Sequence, residues 1–405
     1  MGRRHVPVPA DFAPPPSARR RRAWDEADRA ARPGRLERLR ARLSAAGIDA
    51  YFGLGREEIR YVTGVALGDG EEKVAGHSGR FLVSADAVVV LADSRYSIQA
   101  RREAPGARVE AVTYDLPVRW AELCASIGAH RIAVPAADIS HRLWGALEAA
   151  APGVELVPAG PWVAEDRAVK EPAEIERIAA ACAVADRALA ALLPEIRAGV
   201  TEAALAWRLE ALMREGGAEA LAFDVAALAG PRAALPHGSP GERRVRARQV
   251  LLFDFGAQVG GYRSDMTRTL FVGEPRPRDL AIHELVSRAQ AATMGYLEAS
   301  LAAGGEPNGR AADAAAREVI AAGGHGAHFG HGTGHGIGLA THEAPSLSSV
   351  APEVPLPSPS VFSVEPGIYL DGRTGVRIED LVCLDASAGR VDRLTRFPRE
   401  VLIVG

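Results

Sequence analysis

Cysteine is scarce in this sequence, whose 405 residues include Cys124, Cys182 and Cys383 and no other cysteine. Three scattered cysteines cannot build a disulfide framework or a cysteine-based zinc site, so we expect a protein of the reduced cytoplasm. Apolar runs are short, and none approaches the roughly 18 residues of a membrane-spanning helix. The 48 basic and 51 acidic side chains nearly cancel, which argues against a nucleic-acid partner.

The order of local patterns along the chain predicts an arm followed by two domains. Residues 1–32 are rich in proline and arginine and contain no apolar segment, so we expect a flexible arm and no signal peptide. Short β-rich runs alternate with helical stretches over residues 33–165, which is typical of an α/β layer domain. Residues 166–405 begin with a long helix at Pro172, whose apolar stripe includes Cys182, and continue with strands, glycine-rich turns and two helices. We therefore predict an α+β protein whose chemistry lies in its C-terminal part.

Two aspartates lie on a predicted β-hairpin. Gly260 and Gly261 separate two β-rich runs, and a two-residue hairpin turn favours glycine because φ is positive at both of its positions. This turn pairs position 254 with position 267, so Asp254 and Asp265 share one face with their Cβ atoms roughly 7 Å apart. Two carboxylates that close repel each other unless a proton or a cation lies between them. Two surface aspartates on an edge hairpin are the alternative interpretation.

Histidines cluster in a glycine-rich segment further along the chain. Five of the 11 histidines occupy positions 325, 328, 331, 335 and 342. Imidazole is the commonest side-chain metal ligand and carries protons near neutral pH. The glycines let the backbone approach a ligand closely, and they argue against a long helix. The absence of a His-Glu-x-x-His motif excludes a thermolysin-like zinc helix, and a solvent-exposed loop is the alternative interpretation.

Two further motifs place carboxylates at or near the ends of β-rich runs. Glu365 ends such a run at a Pro-Gly turn, which predicts a position at the rim of a sheet. In the run that contains Arg377 and Glu379, both side chains share one face because alternate residues of a strand point the same way. A simple ion pair is the alternative interpretation of this second motif.

Together the four motifs predict a site for two divalent cations. Four carboxylates and several histidines, each in β-rich or glycine-rich sequence, form an oxygen-rich donor set. Such a set suits Mn, Co or Zn better than softer metals. Two such ions can share a water, lower its pKa to yield a bridging hydroxide, and stabilise a tetrahedral intermediate.

The four motifs, in this order, resemble those of the pita-bread metallopeptidases, which include aminopeptidase P, prolidase, methionine aminopeptidase and the metal-free creatinase. The resemblance covers about residues 34–405. In the N-terminal half it rests on residues 35–48, on Tyr61-Val-Thr-Gly64 and on Asp93-Ser-Arg-Tyr96. It implies a pita-bread fold for the C-terminal domain and an α/β creatinase-like N-terminal domain.

The resemblance also implies roles for nine residues of this sequence. It implies five metal ligands, which are Asp254, Asp265, His335, Glu365 and Glu379. It implies four further active-site residues, which are His237, His331, His342 and Arg377. His237 and His342 would contact the substrate and stabilise the tetrahedral intermediate, and Glu365 would carry a proton from water to the leaving nitrogen. Two divalent cations are implied, with Mn expected ahead of Co or Zn.

The implied activity is that of an Xaa-Pro peptidase. The filled ligand positions argue against creatinase, and the long N-terminal half argues against methionine aminopeptidase. The substrate would be a peptide with proline second, whose tertiary amide has no N–H and a fixed φ. Some prolidases carry an arginine shortly after a His-Glu-x-Pro segment, but here Ser346 follows Pro345. Dipeptidase and aminopeptidase P therefore both stay open.

Three other expectations concern partners and alternatives. A catalytically silent pseudo-peptidase that binds peptides or proteins on the same fold is the alternative function. Asp254-Phe255-Gly256 matches a kinase tripeptide, but the sequence lacks a glycine-rich phosphate loop and a His-Arg-Asp motif. We expect a homodimer without a membrane or nucleic-acid partner, and sedimentation as a monomer alone would contradict the dimer.

Overall fold

The computed structural model describes residues 12–68, 78–112 and 115–405. These residues form two compact units. One unit spans Arg22–Arg167, and the other contains Ala168–Gly405 together with the described residues before Arg22. Each unit has its own sheet structure and apolar core.

The unit of residues 22–167 is built around one mixed six-stranded sheet. Its helices are α1 (Ala18–Ala46), α2 (Arg56–Thr63), α3 (Ser97–Glu103), α4 (Leu116–Ser126), α5 (His141–Ala150) and α6 (Trp162–Ala168). Its strands are β1 (Ala50–Gly53), β2 (Arg80–Ser84), β3 (Val88–Ala92), β4 (Arg108–Ala111), β5 (Arg131–Pro135) and β6 (Glu155–Ala159). The strand order is β4-β3-β2-β1-β5-β6, and Phe52, Leu82 and Trp120 lie in the core against it. This is the α/β layer that the alternating pattern predicts.

Helix α1 corrects part of the prediction of a flexible arm. Residues 18–32 form the first half of this helix, although proline and like charge led us to expect no order. Trp24 is 3% exposed, and the Asp28 carboxylate pairs with the Arg35 guanidinium at 2.9 Å, two turns along the helix. Burial of an indole and an internal ion pair supply stabilisation that arginines and prolines alone do not. Residues 1–11 of the arm lie outside the described residues.

The second unit combines four long helices with four sheets. The helices are α7 (Pro172–Leu192), α8 (Glu202–Glu215), α9 (Pro277–Ala302) and α10 (Gly309–Ala322). The first strands are β7 (Ala220–Leu221), β8 (Ala226–Ala229), β9 (Gln249–Phe255), β10 (Ala257–Val259), β11 (Tyr262–Arg263), β12 (Met266–Val272) and β13 (Gly334–Gly336). The remaining strands are β14 (Glu343–Leu347), β15 (Ser360–Val364), β16 (Gly367–Leu370), β17 (Thr374–Arg377), β18 (Asp380–Asp385), β19 (Arg390–Arg393) and β20 (Ile403–Val404). The sheet orders are β20-β12-β9-β8, β14-β13-β15-β18-β19, β11-β10-β7 and β16-β17.

Local sequence signals explain where the helices of this unit begin. Pro172 is the first residue of α7, and the side chains of Glu171 and Glu174 form a reciprocal capping box there. The Thr201 hydroxyl caps α8 by accepting a hydrogen bond from the Ala204 N–H. Cys182 is fully buried on α7, in agreement with its place on the apolar stripe.

Helices α9 and α10 form the apolar support beneath the β16–β17 hairpin. Ile282 and Val286 of α9 share a core with Ile320 of α10, and Ile368 and Val376 of the hairpin join the same core. The hairpin is therefore anchored from below, and its last residue is the Arg377 that the sequence singles out.

None of the helices in the described ranges combines the length and apolarity needed to cross a bilayer.

Candidate active site

The first motif forms the hairpin expected from the sequence. Val259 pairs with Tyr262 and Asp254 pairs with Thr267, and both turn glycines have positive φ. Strands β9 and β12 are interior strands of their sheet, and Asp265 is 4% exposed. The alternative of surface aspartates on an edge hairpin is therefore wrong.

The second motif places His335 on an interior strand instead of a solvent-exposed loop. His335 lies on β13, which pairs with β14 on one side and β15 on the other. A Cβ at Gly334 would come within 1.9 Å of the Ser363 carbonyl oxygen, so only glycine lets β13 approach this closely. The His335 Nδ1–H donates to the Gly336 carbonyl at 3.0 Å, which leaves Nε2 facing Glu365 Oε1 at 3.2 Å and Asp265 Oδ2 at 3.7 Å.

Glu365 and Glu379 both leave the ends of strands. Glu365 directly follows β15. Its backbone N–H donates to the Thr333 carbonyl at 2.7 Å, and its carboxylate accepts a hydrogen bond of 2.9 Å from the Ser363 hydroxyl. Glu379 lies in the break between β17 and β18, is 1% exposed, and accepts a hydrogen bond of 2.7 Å from the Thr267 hydroxyl. The two carboxylates therefore come to the site from neighbouring strand ends.

All nine residues that the sequence singles out line one cavity of about 510 Å³. His237 and His342 are exposed to this cavity, and the His342 ring lies 4.2 Å from the His335 ring between centroids. His331 donates from Nδ1 to the Gly332 carbonyl and accepts at Nε2 from the Tyr369 hydroxyl, each at 2.8 Å. The remaining members, described above, are Asp254, Asp265, His335, Glu365, Arg377 and Glu379.

The donor set of this cavity fits a divalent cation. Three potential ligand atoms, one each from Asp265, His335 and Glu379, all lie within 4.8 Å of one another. Asp254 Oδ1, Asp265 Oδ1 and Glu379 Oε1 are buried without a hydrogen-bond partner in the described part of the chain. A buried carboxylate oxygen without a partner is costly, and three such oxygens in one cavity are satisfied most simply by cations. Oxygen ligands with one imidazole match the chemistry of Mn, Co or Zn.

The electrostatics of these residues point the same way. Burial, with repulsion from neighbouring carboxylates, raises the pKa of Asp265 and of Glu379 well above the usual range. Burial opposes ionisation of Glu365, but its contacts with His335 and Arg377 outweigh it and lower the pKa of Glu365 to about 2. The same contact outweighs burial at His335 and raises its pKa to about 9. Asp265, Glu379 and His335 thus favour their protonated forms, and a bound cation would take the place of those protons.

Two residues that sequence reasoning missed hold the site together. The Tyr369 hydroxyl accepts from Arg377 Nη1 at 2.8 Å and donates to His331, and burial raises the pKa of Tyr369 to about 12. The Thr267 hydroxyl accepts from Arg377 Nε at 2.9 Å and donates to Glu379. The Nη2 atom of Arg377 donates to the Asp254 carboxylate. Position 267 opposite Asp254 was the available signal for Thr267, whereas nothing in the sequence marked Tyr369.

The family model described as metallopeptidase family M24 matches residues 176–386. The chain belongs to metallopeptidase family M24. A second model, the creatinase/prolidase N-terminal domain, matches residues 35–169 of this M24 chain. The resemblance to the pita-bread metallopeptidases, the fold class and the assignment as a metallopeptidase are thereby confirmed.

Relatives of this M24 protein match it over most of its length. An uncharacterized peptidase, YqhT of Bacillus subtilis, is 33% identical over 91% of this chain and 100% of its own. The structure of an Xaa-Pro dipeptidase from Bacillus anthracis superposes with a TM-score of 0.82 at 32% identity, covering 92% of this chain and 99% of the other. An X-Pro aminopeptidase structure from Thermotoga maritima gives a TM-score of 0.80 at 33% identity, with 91% and 99% covered.

Proposed function

We propose that this protein is a metal-dependent Xaa-Pro peptidase, which hydrolyses the bond between an N-terminal residue and a following proline. The observation that carries the proposal is the close approach of Asp265, His335 and Glu379 in a cavity that also contains Asp254 and Glu365. The similarity to an Xaa-Pro dipeptidase and to an X-Pro aminopeptidase supports the substrate class. Residues 33–165 would form the creatinase/prolidase-like domain and residues 166–405 the catalytic domain.

Five residues would hold two divalent cations, with Mn ahead of Co or Zn. They are Asp254, Asp265, His335, Glu365 and Glu379. When bound, the cations supply Lewis acidity that polarises a carbonyl group and lowers the pKa of water. The unpartnered oxygens of three of these carboxylates support the assignment.

Proton transfer falls to Glu365. Its carboxylate lies in the cavity beside His335, and the Arg377 guanidinium 4.0 Å away favours the ionised form, which can accept a proton. Glu365 would take a proton from the attacking water and deliver it to the proline nitrogen as the peptide bond breaks. The proline nitrogen has no hydrogen of its own in the substrate, so this delivery creates the secondary amine of the product.

His342 and His237 would stabilise the negative charge that develops on the carbonyl oxygen. Burial and the neighbouring His335 lower the pKa of His342, so its imidazole is neutral at pH 7 and retains one N–H to donate. Both histidines line the cavity. Arg377 would act one step further out, because its guanidinium holds Asp254, Thr267 and Tyr369 in place.

The length of the substrate depends on what holds its C-terminal side. The sequence has no lysine or arginine between His342 and Glu365, and Ser346 and Ser348 line the cavity in that segment. Hydroxyl groups cannot grip a free carboxylate in the bidentate way of a guanidinium. This lowers the expected advantage of a dipeptide over a longer peptide.

A cleavage assay with added Mn²⁺ tests the proposal. We would compare the dipeptide Ala-Pro with the tripeptide Ala-Pro-Ala, using wild type, Asp254→Asn and the control Asp392→Asn, which changes a partly exposed carboxylate outside the cavity. We expect cleavage by wild type and the control, and a loss of about 100-fold or more in Asp254→Asn, because a lost ligand removes charge stabilisation of a few kcal/mol.

The pattern of cleavage distinguishes the remaining alternatives. Cleavage of Ala-Pro alone would indicate a dipeptidase with a carboxylate grip from elsewhere. Cleavage of the tripeptide would indicate an aminopeptidase P. If neither is cut although metal analysis finds bound Mn, the Xaa-Pro assignment is wrong. If neither is cut and no metal is bound, the pseudo-peptidase alternative replaces it.

A further inference from the structure

A buried ion pair lies next to His342 on the side away from the cavity. The Lys170 ammonium and the Glu343 carboxylate are 2.6 Å apart, and their side chains are 0% and 4% exposed. His342 lines the cavity, whereas Glu343, the next residue, does not.

Stability alone does not explain why a buried ion pair occupies this position. Removing two charges from water is costly, and an apolar pair of similar volume is often at least as stabilising. The residue type is also unusual for this chain, in which Lys73 and Lys170 are the lysines among 48 basic residues. Unlike an apolar contact, such an ion pair fixes the direction of the two side chains that form it.

The turn before His342 packs on this pair. A Cβ at Gly338 would lie 2.5 Å from Glu343 Oε1 and 3.3 Å from Lys170 Cε, so the turn rests directly on both charged groups. Glu343 Oε2 accepts a hydrogen bond of 3.3 Å from the Ala340 N–H. The Lys170 N–H in turn donates to the Pro359 carbonyl at 2.7 Å. The pair thus connects the chain before α7 with the turn that leads into His342.

The other side of the turn is held by Arg263. Its N–H donates to the Gly338 carbonyl at 2.9 Å, and its guanidinium donates to the Thr341 hydroxyl at 2.9 Å. That hydroxyl donates to the Ala222 carbonyl at 3.0 Å. The residues before and after His342 are therefore both fixed. In the described part of the chain no hydrogen bond holds the His342 ring itself, so its backbone and its packing on His335 set its direction.

We propose that Lys170 and Glu343 are positioning residues, which orient His342 towards the scissile carbonyl without touching the substrate. The inference rests on the proposed function, in which His342 donates to the carbonyl oxygen. A shift of about 1 Å in such a donor can cost roughly 100-fold in turnover, even when the change lies away from the reacting atoms. The substrate would still bind, because the cations and the rest of the cavity are unchanged.

The test uses a double variant that removes both charges. Single variants leave one buried charge without its partner and risk misfolding, whereas Lys170→Met with Glu343→Gln leaves none. We expect kcat to fall about 10- to 100-fold, with KM and the Kd for Mn²⁺ within about threefold of wild type. The matched control is Glu210→Gln with Arg214→Met, which removes a solvent-exposed pair of 3.0 Å on α8 and should leave kcat unchanged.

Two further measurements separate positioning from a structural role. In a His342→Ala background the same double variant should cost less than about twofold, because there is no ring left to orient. In the metal-free protein labelled at histidine, the ring signals of His342 should shift in the double variant, while those of His331, held by Tyr369 and Gly332, stay in place.

Specific results would overturn the inference. An unchanged kcat, an equal loss in the His342→Ala background, or unmoved His342 signals each contradicts it. If wild type cleaves no Xaa-Pro peptide, the proposed function fails on that assay, and the histidine signals still decide whether the pair orients His342. Shifted signals would then support positioning of His342 for another reaction.

Discussion

The hydroxyl of Thr267 offers the most direct test of how the candidate site is supported. Thr267 is fully buried, accepts from Arg377 Nε at 2.9 Å and donates to Glu379 Oε2 at 2.7 Å. Replacement by valine keeps the shape of the side chain and removes both hydrogen bonds. The change therefore isolates one hydroxyl from the volume it occupies.

The expected magnitude follows from the two groups that lose their partner. Each buried polar group left unsatisfied costs about 1–3 kcal/mol, so the two groups together should lower the free energy of unfolding of Thr267→Val by about 2–6 kcal/mol. Loss of a group that orients a metal ligand typically weakens metal binding about 10- to 100-fold, and Glu379 is one of the proposed ligands. Thr267→Ser keeps the hydroxyl and should recover most of both quantities.

The assay pairs urea unfolding of the metal-free protein with calorimetric titration of Mn²⁺. The matched control is Thr293→Val, because Thr293 is equally buried but donates to the Ala312 carbonyl on α10. The control should lose about 1 kcal/mol of stability and no metal affinity. If Thr267→Val binds Mn²⁺ within threefold of wild type, the hydroxyl does not orient Glu379 and the reasoning is refuted.

Two further predictions concern protons. Burial and Arg268 lower the pKa of His283 from 6.5 to about 4, so the stability it contributes is present above about pH 6.5 and is lost as pH falls towards 4. Urea unfolding at pH 7 and pH 5 should differ by about 2 kcal/mol more in wild type than in His283→Leu, and parallel losses would contradict this. Because the pKa of His335 is raised to about 9, Mn²⁺ that binds His335 as proposed would have to displace a proton at pH 7. Calorimetry in two buffers should detect proton release, and a Kd independent of pH between about 6 and 8.5 would contradict it.

The hairpin shows what the sequence alone can predict. Gly260 and Gly261 define a two-residue turn, the turn defines the register, and the register places Asp254 opposite Thr267, as the structure has it. Each step uses only neighbouring residues and the period of a strand. The same local reasoning predicts the start of α7 at Pro172 and the place of Glu365 at the end of β15.

The arm shows where local reasoning is insufficient. Composition predicts no order for residues 18–32, yet Trp24 is buried and Asp28 meets Arg35. Arg35 also reaches the Tyr61 carbonyl, 26 positions further on. A contact of that separation depends on the packing of the whole unit, which composition does not encode. Composition therefore shows the like charges of the arm but not the partners that neutralise them in the fold.

The same distinction separates the proposed ligands from their supports. Aspartate, glutamate and histidine in glycine-rich β-runs are unusual enough to be noticed one motif at a time, and their roles as ligands stay a prediction. Thr267, Tyr369 and Lys170 are ordinary residues whose partners lie far along the chain, such as Glu343 at a separation of 173 residues. Their importance arises only when the fold brings those partners together. Variants at the proposed ligands would test whether a metal binds at this site. Variants at Thr267, Tyr369 and Lys170 would test whether these residues hold the site in its geometry.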